Sequence, residues 1–159
     1  KIIFNRNDDI TLSNNLTGFG LFEHAGNGTV TLTGTNTYTG GTSIGASATL
    51  SVGAGSTAGS ITGDINNSGE LIFDRSDAYT YSGDISGTGE VVKTSGSGDL
   101  TITAATHGVG ATEDLVVTVK DSNGDDVTSG VEVSIASSGN VTVSVNTGLE
   151  FAGRIIIRN

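Results

Sequence analysis

The chain has 159 residues with 17 acidic and 7 basic side chains, a net charge of −10, which opposes any partner that presents phosphates or anionic headgroups, so neither nucleic acid nor membrane insertion is expected. About half of the residues are Gly, Thr, Ser or Asn and none is Pro, yet these small residues alternate with Val, Ile and Leu, a pattern that disordered chains lack. Cys, Met and Trp are absent, which removes disulfides and thiolate metal sites and suits an oxidising, extracellular setting, and no apolar run approaches the ~20 residues of a membrane-spanning helix.

In chain order, Lys1-Ile2-Ile3-Phe4-Asn5 reads as a strand already under way, so the chain is expected to be a fragment or a processed product. Thr29-Val30-Thr31-Leu32-Thr33 puts Val30 and Leu32 on one face and the threonines on the other, the period-2 signature of a half-buried strand. The same grammar, a short alternating strand closed by Gly or Asn-Gly, recurs at Thr49 to Val52, Glu70 to Phe73, Glu90 to Lys93 and Asp99 to Thr103. Ile3-Phe4-Asn5-Arg6-Asn7-Asp8 returns as Ile72-Phe73-Asp74-Arg75-Ser76-Asp77, 69 residues on. Divided into three turns, that offset predicts rungs of about 23 residues and a solenoid of four to five rungs over residues 1–105. Its register predicts that Phe4, Leu12, Val30, Leu32, Phe73, Tyr81, Leu100 and Ile102 are buried and that Arg6, Thr31, Arg75 and Lys93 are exposed. His24 aligns with Lys93 and is likewise expected to face solvent.

The stretch Gly28-Thr-Val-Thr-Leu-Thr-Gly34-Thr-Asn36-Thr-Tyr38-Thr-Gly40-Gly41-Thr42-Ser-Ile44, followed by Ala48-Thr-Leu50-Ser-Val52-Gly53, resembles the passenger-associated repeat of bacterial autotransporters. The resemblance covers about residues 1–105 and implies a right-handed parallel β-helix displayed outside a bacterial cell or on a virion, with no activity attached.

After Thr103 the pattern changes. Residues 106–159 read as a second unit with strands at Asp114 to Lys120, Val131 to Ile135, Asn140 to Val145 and Arg154 to Arg158, joined at Asn123-Gly124, Ser138-Gly139 and Thr147-Gly148. Thr106-His107, Leu115-Val116-Val117 and Gly153-Arg154-Ile155 resemble the small C-terminal β-domain of phage tail fibre and virion proteins, although Gly108 stands where that pattern has Asn. The fold expected is therefore all-β: a right-handed parallel β-helix followed by a small antiparallel β-domain.

Candidate chemistry is sparse. Gly41-Thr42-Ser43-Ile44-Gly45 satisfies the Gly-x-Ser-x-Gly expression of hydrolases, but no helix pattern follows to build the strand-to-helix elbow that exposes such a serine. His24 and His107 stand apart from any cluster of ligand spacing and are read as structural, and Tyr38, Tyr79 and Tyr81 are the available stacking platforms. Tyr79 and Tyr81 are expected in the core and Tyr38 at the outer edge of a rung. Asp121, Asn123, Asp125 and Glu132 form a weak calcium candidate by loop spacing; Asp126 stands where that loop needs Gly and the flanks are strands, so a hairpin turn at Asn123-Gly124 is preferred.

No catalytic residue, cofactor or resident metal is expected. Arg154, Ile155, Ile156, Ile157 and Arg158 form a strand apolar on both faces, which marks them as an oligomer interface, with a homotrimer favoured. The function that follows is a non-enzymatic structural or adhesive virion protein: a tail fibre, an appendage or a capsid decoration that contacts other virion proteins or a host receptor. The alternative is a passenger fragment of an autotransporter adhesin at the bacterial surface.

Overall fold

A computed structural model describes residues 1–94 and 99–102 in full, and residues 116–121, 131–135, 141–145 and 153–158 as backbone strands. The first face is a parallel sheet of β1 (Ile2–Phe4), β3 (Phe22–His24), β5 (Thr42–Ile44), β7 (Ile65–Asn67) and β10 (Ile85–Ser86). Between these, in chain order, the second face takes β2 (Ile10–Leu12), β4 (Thr29–Leu32), β6 (Thr49–Ser56), β8 (Glu70–Arg75) and β11 (Glu90–Thr94), again all parallel. A third face is formed in the later turns by β9 (Tyr79–Tyr81) and β12 (Leu100–Ile102). Earlier it is held by single backbone bonds, Thr37 N to Leu16 O (2.8 Å) and Thr39 N to Gly18 O (2.9 Å), and by a parallel bridge between Thr35 and Ser60. The chain is thus a parallel β-solenoid of about five turns. Interior strands hydrogen-bond to the rung above and the rung below, which explains a chain without Pro.

The rung is shorter than the repeat arithmetic predicts. Ile2 pairs with Phe22 and Phe22 with Thr42, 20 residues apart, and only the third step, Thr42 to Ile65, takes 23. The 69-residue match is three rungs plus one face. It carries Phe4 of β1 onto Phe73 of β8, on the next sheet, and, after one inserted residue, Thr31 of β4 onto Thr101 of β12. Equivalent strand grammar recurs on every face, so a match in sequence does not by itself identify stacked positions.

The core is built from inward columns. Val30, Leu50 and Leu71 stack in register and are almost wholly buried, as are Leu32, Val52 and Phe73 beside them. Parallel stacking at a strand spacing of about 4.8 Å brings like side chains into van der Waals contact along the axis. Of the residues expected inside, Val30, Leu32, Phe73, Tyr81, Leu100 and Ile102 are buried. Phe4 and Leu12 are half-buried, because they belong to the first rung, which packs against a neighbouring rung on one side.

Arg6 is exposed and Thr31 half-exposed, but two of the four positions expected outside are not. Lys93 pairs with Phe73 and therefore occupies an inward position; it is 4 % exposed, and its ammonium lies 3.4 Å from the Arg75 carbonyl oxygen. Burial pushes its pKa below the usual lysine value, a shift that Asp74, Asp99 and Asp77 oppose. Arg75 folds back, its guanidinium 4.7 Å from the Tyr79 ring centre while it binds Asp77 and the Gly59 carbonyl. A long aliphatic stem lets either cation cover apolar surface, an option that in/out alternation does not register.

The four strands expected beyond residue 106 appear as β13 (Val116–Asp121), β14 (Val131–Ile135), β15 (Val141–Val145) and β16 (Gly153–Arg158). Their pairings are antiparallel and they join the solenoid's own sheets: β16 lies between β11 and β13, and β15 lies between β12 and β14. Of the three expected turns, the one at Ser138-Gly139 lies between paired strands, β14 and β15. At Asn123-Gly124 and Thr147-Gly148 the flanking strands fall in different sheets, and the turns expected there lie outside the described residues. Non-local pairing with the solenoid edge competes with the local hairpin for the same backbone groups. The boundary expected at residues 105 and 106 lies outside the described residues.

Candidate functional site

The motif of residues 28–44 occupies the second rung and the start of the third, and its Asn36 and Tyr38 turn inward. Asn36 is fully buried; its Oδ1 accepts from Leu16 N at 2.9 Å, and its Nδ2 donates to the carbonyls of Gly34 and Ser60, each at 3.0 Å. One amide therefore ties together backbone from three consecutive rungs at a corner where the ladder is interrupted. Tyr38 is 3 % exposed, stacks on Phe22 with ring centres 5.8 Å apart, and hydrogen-bonds Thr42 Oγ1 at 2.7 Å. At Gly40 a Cβ would stand 2.4 Å from the carbonyl carbon of Gly20, so the two rungs meet there backbone to backbone. The threonines between these positions face outward, and the motif is a specification for stacking.

Tyr38 is therefore in the core and not at the outer edge of a rung. Sequence alternation stops at the Thr-Gly-Gly corner, and the ring follows the inward column set by Val30, Leu32, Gly34 and Asn36. Burial pushes its pKa up to about 12, and burial also raises those of Tyr79 and Tyr81. A phenol that resists ionisation in the folded state contributes stability that is fully present below its ordinary pKa near 10 and lost as the pH rises through about 12. Alkaline titration followed at 295 nm and by circular dichroism is expected to show tyrosine ionisation coinciding with unfolding; phenols that ionise near pH 10 in a folded chain would contradict their burial.

Ser43 sits in the middle of β5, in register with Glu23 and Asn66 on the outward side of a regular strand, and not on a strand-to-helix turn. His24 is fully buried, with Nε2 2.7 Å from the Gly28 carbonyl oxygen and Nδ1 3.2 Å from that of Phe4. The expectation that it faces solvent is corrected: it shares the inward column of Phe4 and Ile44 and closes the corner between β3 and β4. His107 lies outside the described residues. Asp8 and Asp77, matched in the 69-residue repeat, are separated: Asp8 is held by Arg6 and Asp77 by Arg75, and each guanidinium holds its carboxyl below the usual range. Asp84 N donates to Asp64 Oδ1 at 2.9 Å one rung away. Among the described residues no three His, Asp or Glu side chains converge as a metal shell would require.

Asp121 ends β13 and Glu132 lies in β14, strands of different sheets; their side chains, with Asn123 and Asp125, lie outside the described residues. Arg154, Ile155, Ile156, Ile157 and Arg158 lie in β16, whose backbone pairs with β11 on one edge and β13 on the other. Their side chains also lie outside the described residues, and the expected oligomer interface stands as an expectation.

Two shallow grooves cross the outward surface. One, of about 530 Å³, follows the corner between the first and second faces past Ser47, Thr49, Ser68 and Glu70 to Thr88 and Glu90. The other, of about 310 Å³, follows the corner between the third and first faces, over Thr39, Gly40 and Gly41 to Ser43 and Asp64. At the head of that second corner, in the first rung, Phe19 is 93 % exposed. Sequence reasoning missed it while weighing the three tyrosines; the available signal was Gly18-Phe19-Gly20, an aromatic between two glycines where a rung turns.

Over 56 residues, 35 % of this chain, the sequence is 54 % identical to the adhesin BmaC autotransporter of Brucella suis biovar 1 (strain 1330). The chain is similar to a bacterial autotransporter adhesin. The likeness agrees with the resemblance read from residues 28–53 and with the parallel solenoid that those residues build. The matched region is 2 % of that relative's length. No family model matches the chain, and no solved structure matches it. The likeness of residues 106–159 to phage fibre proteins has no counterpart in these comparisons.

Proposed function

We propose that this chain is a non-enzymatic stretch of an extracellular, surface-displayed adhesin of the autotransporter passenger type. The observation that carries the reading is the 54 % identity to the Brucella adhesin, in a chain whose described turns form a parallel solenoid. It displaces the virion reading that came first from sequence, because the relative found is an autotransporter adhesin and not a virion protein. The right-handed winding implied by the passenger resemblance belongs to this reading as well, and it is the hand that crossovers between parallel strands overwhelmingly adopt. Adhesion suits the build. The core is closed by stacked side chains, while corners and outward threonines present hydrogen-bonding groups at a fixed axial repeat. Association of copies through residues 154–158 is compatible with the proposal and not required by it.

The test is attachment. Beads coated with the 159-residue chain are expected to adhere to cultured epithelial cells more than beads coated with the thermally unfolded chain. Equal attachment of both would overturn the reading.

A further inference from the structure

Strand β16 is apolar at its centre on both faces and cationic at both ends, Gly153-Arg154-Ile155-Ile156-Ile157-Arg158. Its register with β11 accounts for every position. Ile157 lies opposite Val91 and Ile155 opposite Lys93, so they extend the inward rows Leu71–Val91 and Phe73–Lys93. Ile156 lies opposite Val92 and extends the intervening row from Ile72. Val92 is 1 % exposed although alternation puts it on the outward side, so that row also takes an apolar neighbour.

The two arginines fall against polar rows. Arg154 lies opposite Thr94, which lies opposite Asp74. Asp74 Oδ1 and Thr94 Oγ1 are buried and have no hydrogen-bond partner among the described residues, so two orphaned oxygens share a row with a residue that carries five donors. Continued by one residue, the same register sets Arg158 opposite Glu90, which pairs with Glu70. Both glutamates are half-buried and line the 530 Å³ groove, and no basic residue is among its described lining. The chain has 7 basic residues in all, and two of them bracket this one strand.

We propose that β16 is a charge-latched closing strand of this chain's own solenoid, with Arg158 set on the Glu70–Glu90 row and Arg154 on the Asp74–Thr94 row. The β11 edge is then an interaction surface whose occupant is residues 153–158 of the same chain, in place of the contact between copies that the sequence of β16 suggests. The latch fixes register more than it adds affinity. A slip of one residue would exchange the faces of β16. A slip of two in either direction keeps the faces but brings Arg158 or Arg154 opposite the buried Val92. The inference is independent of the adhesin reading.

Hydrogen exchange of the full chain, read by mass spectrometry, tests it. Residues 153–158 are expected to be protected in the parent, and Arg158→Glu or Glu90→Arg is expected to lower that protection about fivefold or more, since like charges directly opposite destabilise strand pairing. The double variant, Glu90→Arg with Arg158→Glu, is expected to regain it. Residues 22–73 are expected to keep the parent's protection in all three, which separates loss of the latch from unfolding. Arg154→Met is expected to lower protection in the parent and to have a smaller effect beside Asp74→Asn.

Single charge reversals that leave β16 as protected as in the parent, or a double variant no better protected than either single one, would overturn the proposal. So would sedimentation in which Arg154→Gln with Arg158→Gln lowers the mass of the particle while β16 stays protected, because the arginines would then join separate copies.

Discussion

Gly59→Ala is expected to destabilise the solenoid by about 2–5 kcal/mol, the sum of a left-handed backbone penalty and an overpacked contact. Gly59 has φ +93°, and a Cβ there would stand 2.5 Å from Gly53 N on its own rung and 2.6 Å from Leu32 O on the preceding one, both rigid backbone. Gly55→Ala is the matched control. Its φ is +72°, but the nearest atom to an added Cβ is Asp74 Oδ1 at 4.0 Å, so only the backbone penalty of about 1–2 kcal/mol applies. Thermal melting of the two variants side by side separates the effects. Equal losses would show that the rungs are not in contact at Gly59.

Asn36→Leu is expected to cost about 2 kcal/mol or more despite similar volume, since it strands one backbone N–H at about 1–3 kcal/mol and removes a second donor from each of two carbonyls. The group left without its partner is Leu16 N; Gly34 O and Ser60 O lose the side-chain donor but keep the backbone donors Ser60 N and Asn36 N. Asn36→Asp is informative in a different way: it still accepts from Leu16 N but turns a second oxygen toward two carbonyl oxygens. Its carboxyl is expected to hold its proton to higher pH than a free aspartic acid, so the stability of that variant should fall as the pH rises through the carboxyl's folded-state pKa. Urea unfolding of Asn36→Leu and Asn36→Asp across pH 4 to 8 checks both statements, and a Leu variant as stable as the parent would remove Asn36 from its role as the corner clamp.

The path from Thr29 to Tyr38 shows what was legible in the sequence and where legibility ended. Val30 and Leu32 could be placed inside from alternation alone, because successive side chains of a strand point to opposite faces wherever the strand lies. The same rule continued through Gly34 and Asn36 to Tyr38 would have buried the ring, but a Gly-rich corner gives no warrant for carrying the alternation across it. Lys93 failed for a different reason: the 69-residue match aligned it with His24 at a position expected to face solvent, whereas its pairing with Phe73 places it inside.

By itself the sequence determined the all-β class, the short strands, the parallel stacking and the adhesin-like repeat, because each is written in residues a few positions apart: alternation, glycine corners and the absence of proline. Tertiary structure decided the rung length, the pairing of β11 and β12 with β16 and β15, the burial of His24 and Tyr38, and the exposure of Phe19. Those outcomes turn on which backbone lies above which. A one-face slip preserves the in/out pattern of every strand while changing every neighbour, so only the hydrogen-bond register and the close approach of corner backbones distinguish one stacking from another.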